Sequence, residues 1–529
     1  MPPSRRPKPI RTRFGVLIAS AVALSACVAA GSTGGGGPLG VEPDDGQAPI
    51  LSPLSSVTPP TDPPRECTPN ALLGEIAVVD DLALATLRLS QAIYPCLETL
   101  TVSSTAPTDL AAASEHALAT TAGLLVVDTP PSEQQLAEIG RLAPETVTVF
   151  GVTAAQVAGD WEVVDPSLSQ TTTTTAIAST TTTEAPDAQP PIVARDVWLV
   201  PEGSALQTAI APAAVAAGAV ILEVAVEDLR GLDGDARTLI SDAGTARLFG
   251  AFGPDAQWQL DVALGGLEMP GGGQLVFPGR RFVAFYGNPL SSSLGVLGEQ
   301  GPEAALERLR GVAAQYETGG VVVVPTFEII ATVASAQAGA DNDYSAEMAI
   351  DDMRAWVELA AEEDAYVVLD LQPGRTDFLT QAKRYEELLR LPHVGLALDP
   401  EWRLKPDQVH LRQVGTVTAA EINTVSAWLA GIVREEALPQ KLFIVHQFRF
   451  SMITDRETIE TPTELAVVIQ MDGQGPLGTK YQTYDVLTAG MENVSWRWGW
   501  KNFYDEDSPT ATPQQTLEVD PQPVFISYQ

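Results

Sequence analysis

Short apolar runs alternate with amphipathic stretches along most of this 529-residue chain, and the alternation is strongest after residue 279. Eight apolar runs of strand length follow that point, and the gaps between them mostly show the apolar spacing of a helix. Strands that alternate with helices predict a parallel sheet with helices on its faces. The eight predicted strands are 282–286, 320–328, 365–372, 394–401, 441–448, 465–472, 495–503 and 523–528.

The number and spacing of these strands match a (β/α)8 TIM-type barrel, which we assign to residues 279–529. An open, doubly wound sheet is the alternative. No glycine-rich phosphate-binding loop follows a predicted strand, so the sequence gives no support to a nucleotide-binding fold. We therefore predict an α/β protein that ends in a TIM-type barrel.

The N-terminal half predicts two smaller parallel-sheet α/β units, at 67–166 and 194–270. Both contain an Ala-rich helix, an apolar strand and a later strand that ends in glycine, which indicates two degenerate copies of one unit. The matching segments are 111–127 with 206–222, and 147–151 with 246–250. The unit resembles the type 2 cell-wall-binding repeat of Gram-positive surface proteins, which implies attachment to the cell wall. Any other small α/β sheet domain is the alternative.

A basic and then apolar segment opens the chain. Five basic residues precede the apolar run 14–24, which is too short to span a bilayer and indicates an export signal. The run ends in Leu24-Ser25-Ala26-Cys27, which resembles the lipobox of bacterial lipoproteins. This resemblance implies cleavage before Cys27, lipidation of that cysteine and a lipid-anchored location on the extracytoplasmic face of the cell membrane, at the cell wall. An ordinary secretion signal is the alternative.

Low-complexity segments separate these parts. After the predicted signal peptide at 1–27, residues 28–66 are rich in Gly, Pro and Ser and indicate a flexible tether. Residues 167–193 are rich in Thr and Pro and predict a linker between the two small units.

The charge balance limits the partners. Asp and Glu total 67 and Lys and Arg total 31, which gives a formal net charge of −36. Such a chain repels phosphate backbones and anionic lipid surfaces. We therefore expect no nucleic-acid partner, and we expect the protein to contact the membrane through its lipid anchor only. The partner we expect is cell-wall polysaccharide or peptidoglycan.

The cysteines and histidines bear on disulfides and metals. If Cys27 is lipidated, Cys67 and Cys96 are the two that remain, and an even pair outside the membrane predicts a disulfide. The four histidines show no metal-ligand spacing, so we expect no metal and no other cofactor.

A barrel of this type carries its chemistry at the carboxyl ends of its strands, and most of the predicted strands end in an acidic or other polar residue. Asp399 and Glu401 stand two apart, so on a strand they would share one face and repel each other. We therefore expect Glu401 to be the general acid and Asp399 to raise its pKa. The other candidate catalytic residues, expected to shape the cleft, are Glu328, Asp370 and Asp472. The candidate substrate-binding residues are Tyr286, Gln372, His446, Gln447, Trp498, Lys501, Tyr504 and Asp505.

Paired carboxylates beside aromatic residues are what glycoside hydrolysis needs. The segment 398–402, Leu-Asp-Pro-Glu-Trp, resembles the end of the Asp-x-x-Asp-x-Asp-x-Glu signature of chitinase-type barrels, which implies Glu401 as acid and Asp399 as its helper. The two earlier acidic positions of that signature are Val394 and Ala397 here. The C-terminal half also resembles the barrel of uncharacterised actinobacterial envelope lipoproteins.

Two functional hypotheses follow. The first is a lipid-anchored, glycoside-hydrolase-like protein of the cell envelope, and the second is a non-catalytic glycan-binding or scaffold lipoprotein.

Overall fold

The computed structural model describes residues 67–70, 81–168, 196–225 and 227–529. The predicted signal peptide with Cys27, the tether and nearly all of the Thr-rich linker lie outside these residues. So do residues 74–79, a short apolar run that predicts a strand. Within the described residues, no helix has the length and apolar character needed to cross a membrane.

A four-stranded parallel sheet follows Cys96, with strand order β2-β1-β3-β4. Two of its three helices begin at side-chain caps, one of them at Asp81, whose carboxylate accepts a hydrogen bond from the backbone N–H of Leu84 at 2.8 Å. The elements are α1 (Leu82–Ile93), β1 (Thr99–Ser103), α2 (Pro107–Thr120), β2 (Gly123–Val126), α3 (Glu133–Leu142), β3 (Thr146–Phe150) and β4 (Glu162–Val164).

The predicted disulfide is confirmed. It joins Cys67 to Cys96, and the two Cα atoms are 5.0 Å apart, within the distance that a disulfide requires. The bond therefore ties the segment that precedes α1 to the loop between α1 and β1.

A second parallel sheet has three strands in the order β6-β5-β7. In both small sheets the first strand lies in the middle, the next strand lies on one side of it and the third on the other. Buried residues from both sheets, among them Leu125 and Trp198, belong to one apolar core. The elements are β5 (Val197–Pro201), α4 (Ala205–Ala217), β6 (Val220–Val224), α5 (Gly234–Ala243), β7 (Ala246–Leu248) and α6 (Ala256–Gly265).

Eight parallel strands close into a barrel in the C-terminal half. The barrel strands begin with β8 (Arg280–Asn288), β10 (Val322–Ala334), β12 (Tyr366–Leu371) and β13 (Val394–Leu398), and they end with β15 (Lys441–Gln447), β17 (Leu465–Met471), β18 (Arg497–Asn502) and β19 (Phe525–Tyr528). The first strand, β8, pairs with both β10 and β19, so the sheet has no edge within the barrel. Each predicted strand overlaps one barrel strand, and the closure rules out the open, doubly wound alternative.

Helices and short strands lie between the barrel strands. The helices are α7 (Pro302–Ala313), α8 (Ile350–Glu362), α9 (Phe378–Ala382), α10 (Glu386–Leu389), α11 (Ala419–Glu435), α12 (Leu477–Thr488) and α13 (Pro513–Leu517). The short strands are β9 (Ser291–Gly295), β11 (Ser345–Glu347), β14 (Val417–Thr418) and β16 (Ile453–Thr454).

The barrel interior is apolar in its lower part and polar at its carboxyl end. Buried apolar side chains that include Phe282, Val324, Tyr366 and Leu442 fill the lower part. Two residues further along each of these four strands the side chain is small or apolar, and after two more it is polar or ionisable. This layering leaves the carboxyl end of the barrel free for a polar site.

The structure corrects one predicted strand end. Strand β13 stops at Leu398, and Pro400 begins a 3-10 turn, Pro400–Trp402, because proline has no N–H with which to continue a ladder. Asp399 and Glu401 therefore do not share a strand face, because Asp399 directly precedes the turn and Glu401 lies within it.

Candidate active site at the carboxyl end of the barrel

Four barrel strands, β10, β12, β15 and β18, bring four ionisable side chains together at the carboxyl end of the barrel. Glu328, Asp370, His446 and Lys501 all belong to barrel strands and are almost completely buried. The four residues lie far apart in sequence, but the closed barrel brings them to the same end. Tyr286 pairs in register with Glu328, which adds a phenol to the same layer.

His446 lies at the centre of this cluster. Its Nε2 is 3.1 Å from Oε1 of Glu328, and its Nδ1 is 3.1 Å from Oδ2 of Asp472. The same Nδ1 is 2.6 Å from Oδ1 of Asp399. One imidazole therefore contacts three carboxylates from three different strands or strand ends.

The surrounding carboxylates set the charge of His446. Burial by itself lowers the pKa of the imidazole, but Asp399 and Asp370 outweigh burial, and the net pKa lies well above its ordinary value. When no other cation is bound, the imidazole is therefore protonated near neutral pH.

Lys501 is the second cation of the cluster. Its Nζ is 3.2 Å from Oδ1 of Asp472 and 3.4 Å from the ring centroid of Tyr286. Burial lowers the pKa of Lys501, but Asp472 and the other carboxylates outweigh it and raise the net pKa. In turn, burial raises the pKa of Asp472, but Lys501 and His446 outweigh it, and the net pKa lies below the usual range.

Tyr286 and Gln372 hold the Asp399 carboxylate. The Tyr286 hydroxyl donates to Oδ2 of Asp399 at 3.3 Å, and Nε2 of Gln372 donates to the same oxygen at 3.2 Å. Gln372 is itself fixed, because its Oε1 accepts a hydrogen bond from the backbone N–H of Ala334 at 2.9 Å. Asp399 therefore has a defined position at the floor of the cavity described next.

A cavity of about 920 Å³ opens above the cluster. Its floor includes Asp399, Asp472 and Lys501, and its wall includes Glu401. Burial, and then the charges of Asp399 and Asp472, raise the pKa of Glu401 well above its usual range. Glu401 is therefore a carboxylic acid in contact with the cavity that keeps its proton to unusually high pH.

Asp370 lies deeper and has an unusual environment. It is 0% exposed, and neither of its carboxylate oxygens has a hydrogen-bond partner among the described residues. Burial, and then the neighbouring Asp399, raise its pKa well above the usual range. Glu328 is also 0% exposed and leaves its Oε2 without a partner in the same part of the chain.

Five of the predicted substrate-binding residues do not line the cavity. One of them, His446, contacts the lining residues Asp399 and Asp472, and the other four lie elsewhere. Gln447 faces away from the barrel interior and accepts a hydrogen bond from Arg456 at 2.6 Å. Trp498 packs on the outer face of the barrel against Tyr484, and Tyr504 stacks on a neighbouring tyrosine. Asp505 is exposed on the loop after β18.

The remaining predicted residues are placed as follows. Tyr286, Gln372, Asp399, Glu401, Asp472 and Lys501 line the cavity. Glu328, Asp370 and His446 lie within contact distance of the floor residues or of one another.

Further cavity residues were not predicted. Trp402, Phe448 and Phe503 give the cavity its aromatic wall, and Arg412 and Arg449 give it positive charge. Phe448 and Phe503 are the last residues of the predicted strands 441–448 and 495–503, and they carry the same strand-end signal as the acids. Arg412 lies in a loop whose path has no periodic signal in the sequence.

No family model, curated protein or solved structure matches this chain. The function must therefore be argued from the site itself.

Proposed function

We propose that the barrel is a glycoside-hydrolase-like enzyme that acts on a polysaccharide of the cell envelope, with Glu401 as the proton donor. One observation carries the proposal. A carboxylic acid with a raised pKa, Glu401, lines the same cavity as Asp472, a carboxylate that is ion-paired with Lys501. A protonated and an ionised carboxyl group at one cavity are what hydrolysis of a glycosidic bond requires.

The roles follow from the positions. Glu401 donates its proton to the leaving oxygen as the bond from that oxygen to the sugar carbon breaks. The carboxylates on the floor, Asp399 and Asp472, stabilise the positive charge that develops on the sugar ring. Water then adds its hydroxyl to the sugar carbon and returns a proton to the enzyme, so the reaction is a net hydrolysis.

The aromatic wall supports a carbohydrate as the substrate. The rings of Trp402, Phe448 and Phe503 line the cavity. Trp402 is held edge-on by His410, with 5.2 Å between ring centroids. Flat apolar faces next to charged groups suit a sugar ring, which has both apolar faces and hydroxyl edges.

The test is release of reducing ends from purified wall polysaccharides. Glu401→Gln keeps the size of the side chain but removes the acidic proton, so we expect the rate to fall by about 10²- to 10⁴-fold. Glu492→Gln, at an exposed position away from the cavity, is the matched control and should keep the wild-type rate. Activity that survives Glu401→Gln would rule out Glu401 as the donor.

The proposal includes the location of the enzyme. We infer that Cys27 carries a lipid anchor and that the two small α/β units bind the cell wall. A disulfide between Cys67 and Cys96 is compatible with a compartment outside the cytoplasm, and the shared strand order of the two small sheets agrees with a repeated unit.

Cys27→Ala should move the protein from the membrane fraction to the medium, as measured by immunoblotting of both fractions. If the variant stays with the membrane, the anchor is not at Cys27.

A second candidate function is glycan binding without turnover. It is favoured by the contacts of Asp399 and Asp472, because carboxylates that are already paired with His446 and Lys501 are not free to act as nucleophile or base. Retention of the protein on insoluble wall material, with no reducing ends released over long incubation, would favour this binder over the hydrolase.

A further inference from the structure

With all of its carboxyl groups ionised, the buried cluster at the carboxyl end of the barrel would carry more negative than positive charge. Four carboxylates, those of Glu328, Asp370, Asp399 and Asp472, surround two cationic groups, His446 and Lys501. Buried charges without compensation are costly, because the protein interior does not replace the water that they lose. The cluster therefore requires further positive charge, either as protons or as a bound cation.

The side chain of Asp370 indicates where the additional positive charge would lie. Its side chain is fully buried on the inner face of β12, and both of its oxygens are without partners among the described residues. Oε2 of Glu328 also lacks a partner, on the adjacent strand β10. Asp370, Glu328 and His446 each offer one ligand atom, and these three atoms lie within 4.8 Å of one another.

The geometry around His446 has two features of a metal ligand. The 3.1 Å separation between Nε2 and Oε1 of Glu328 is close to the ~3.0–3.4 Å expected between neighbouring ligands with bonds of about 2.0–2.1 Å. The other ring nitrogen, Nδ1, contacts the carboxylates of Asp472 and Asp399. Histidines that bind metals usually donate that second N–H to a carboxylate or a carbonyl, which fixes the ring and its tautomer.

We infer that Glu328, Asp370 and Nε2 of His446 bind one divalent transition-metal cation of the Mn²⁺ or Zn²⁺ class. One imidazole and two carboxylates form a mixed nitrogen and oxygen donor set, which suits these ions better than Ca²⁺ or Mg²⁺. The sequence could not indicate this site, because its ligands come from three separate strands with no motif spacing. The inference goes beyond the proposed function and holds whether or not the barrel hydrolyses a glycan.

The first test is binding of the metal alone to the full chain. After removal of metals with a chelator, we expect titration with ZnCl2 or MnCl2 in a calorimeter to show one saturable site per chain. We also expect the melting temperature to rise, because a ligand that binds only the folded state stabilises it. CoCl2 should produce a visible d–d absorption band typical of mixed nitrogen and oxygen ligation.

Two nearly isosteric variants locate the site. Asp370→Asn and Glu328→Gln should each weaken binding by at least about tenfold. Asp341→Asn is the control, because Asp341 belongs to a separate acidic group with Asp343 and Glu347 and should leave this binding unchanged.

Three outcomes would overturn the inference. The first is that the titration shows no saturable metal binding. The second is that metal binding is lost in Asp341→Asn but kept in a folded Asp370→Asn, and the third is a Co²⁺ spectrum typical of oxygen ligands only. The Co²⁺ spectrum is recorded on the wild-type protein, so it decides the question even if the two variants do not fold.

Discussion

Glu401 owes its position to a turn rather than to a strand. Because Pro400 ends the ladder of β13, the Glu401 side chain lies on the cavity wall and not in the packed layer that contains Asp370. An acid on the wall can reach a bound substrate, whereas Asp370 below it is sealed from solvent. Glu401 and Asp370 therefore differ in how far they lie below the cavity surface: Glu401 lines the cavity, and Asp370 is buried beneath it.

The pKa of Glu401 predicts how activity depends on pH. Burial and the charge of Asp399 raise this pKa, and only the protonated form can donate. Activity should therefore hold on the acidic side of the raised pKa and fall as the pH rises through it. Asp399→Asn removes one of the charges that raise this pKa, so the alkaline fall should move to lower pH. The measurement is kcat/KM against pH for both proteins.

The control for this experiment is Glu492→Gln, whose alkaline fall should coincide with that of the wild type. An alkaline fall at the same pH in Asp399→Asn and wild type would show that Asp399 does not act on the essential acid.

The two-residue period of a strand accounts for most of the residue-scale predictions, and it also explains why two of the predicted residues lie outside the cavity. It places Glu328, Asp370 and His446 on inward faces, as the structure shows. The same rule excludes Gln447, the neighbour of His446, and Trp498, which lies an odd number of positions from Lys501. Tyr504 and Asp505 follow β18 in a loop, where no periodic rule applies.

Among the elements, helix α12 is attached to the barrel by a buried ion pair. Nζ of Lys480 pairs with Oδ2 of Asp507 and also donates to the backbone carbonyl of Lys501 at 2.8 Å. Asp507 in addition accepts a hydrogen bond from the backbone N–H of Phe503 at 2.9 Å. The pair therefore links α12 to the strand that carries Lys501.

Removal of Lys480 should be strongly destabilising. Its side chain is 1% exposed and that of Asp507 is 0% exposed, so Lys480→Met leaves a buried carboxylate without its cation. We expect a loss of about 3–5 kcal/mol in the free energy of unfolding, measured by urea denaturation. Lys480→Met combined with Asp507→Asn should recover part of the loss, and Lys383→Met, at an exposed position, should change little. If the single variant is as stable as the wild type, the pair has no net structural role.

Strands and helices with a strong apolar pattern could be predicted from the sequence, whereas a local interruption within a helix could not. Seven of the eight barrel strands follow from apolar runs that contain Val, Ile, Leu or Phe, and β18 follows from Trp498 and Trp500. The apolar spacing of residues 419–436 predicts α11 to within one residue. The apolar spacing of residues 377–391 predicts a single helix, but the structure has α9 and α10 there, with a 3-10 segment, Lys383–Tyr385, between them. The apolar spacing is the same in both descriptions, so periodicity alone does not reveal the interruption.

At the scale of the whole molecule, the closure of the barrel is the feature that the sequence could only suggest. The decisive pairing is that of β19 with β8, where Phe525 lies opposite Phe282. The two residues are far apart in sequence, and no local pattern specifies which edge strand meets which. The number of strands favoured a barrel, but the open sheet could be excluded only from the structure.

The disulfide should stabilise the N-terminal half against unfolding. It closes a loop between Cys67 and Cys96, 29 positions apart, which restricts the unfolded chain. Replacement of both cysteines by alanine should cost about 2–4 kcal/mol, measured as a shift of the transition of the small sheets in urea. Reduction of the wild type should give the same shift and leave the double variant unchanged. Equal stability of the wild type with and without reductant would contradict this.

The contacts of His446 also limit how this barrel can evolve. Its three carboxylate partners, Glu328, Asp399 and Asp472, follow or lie in three different strands, yet each depends on the same ring. A single substitution leaves at least one buried charge without its partner, so effects within the cluster should be far from additive. Natural drift at this end of the barrel is therefore expected to proceed by compensated pairs of changes, while the outer helices accept substitutions one at a time.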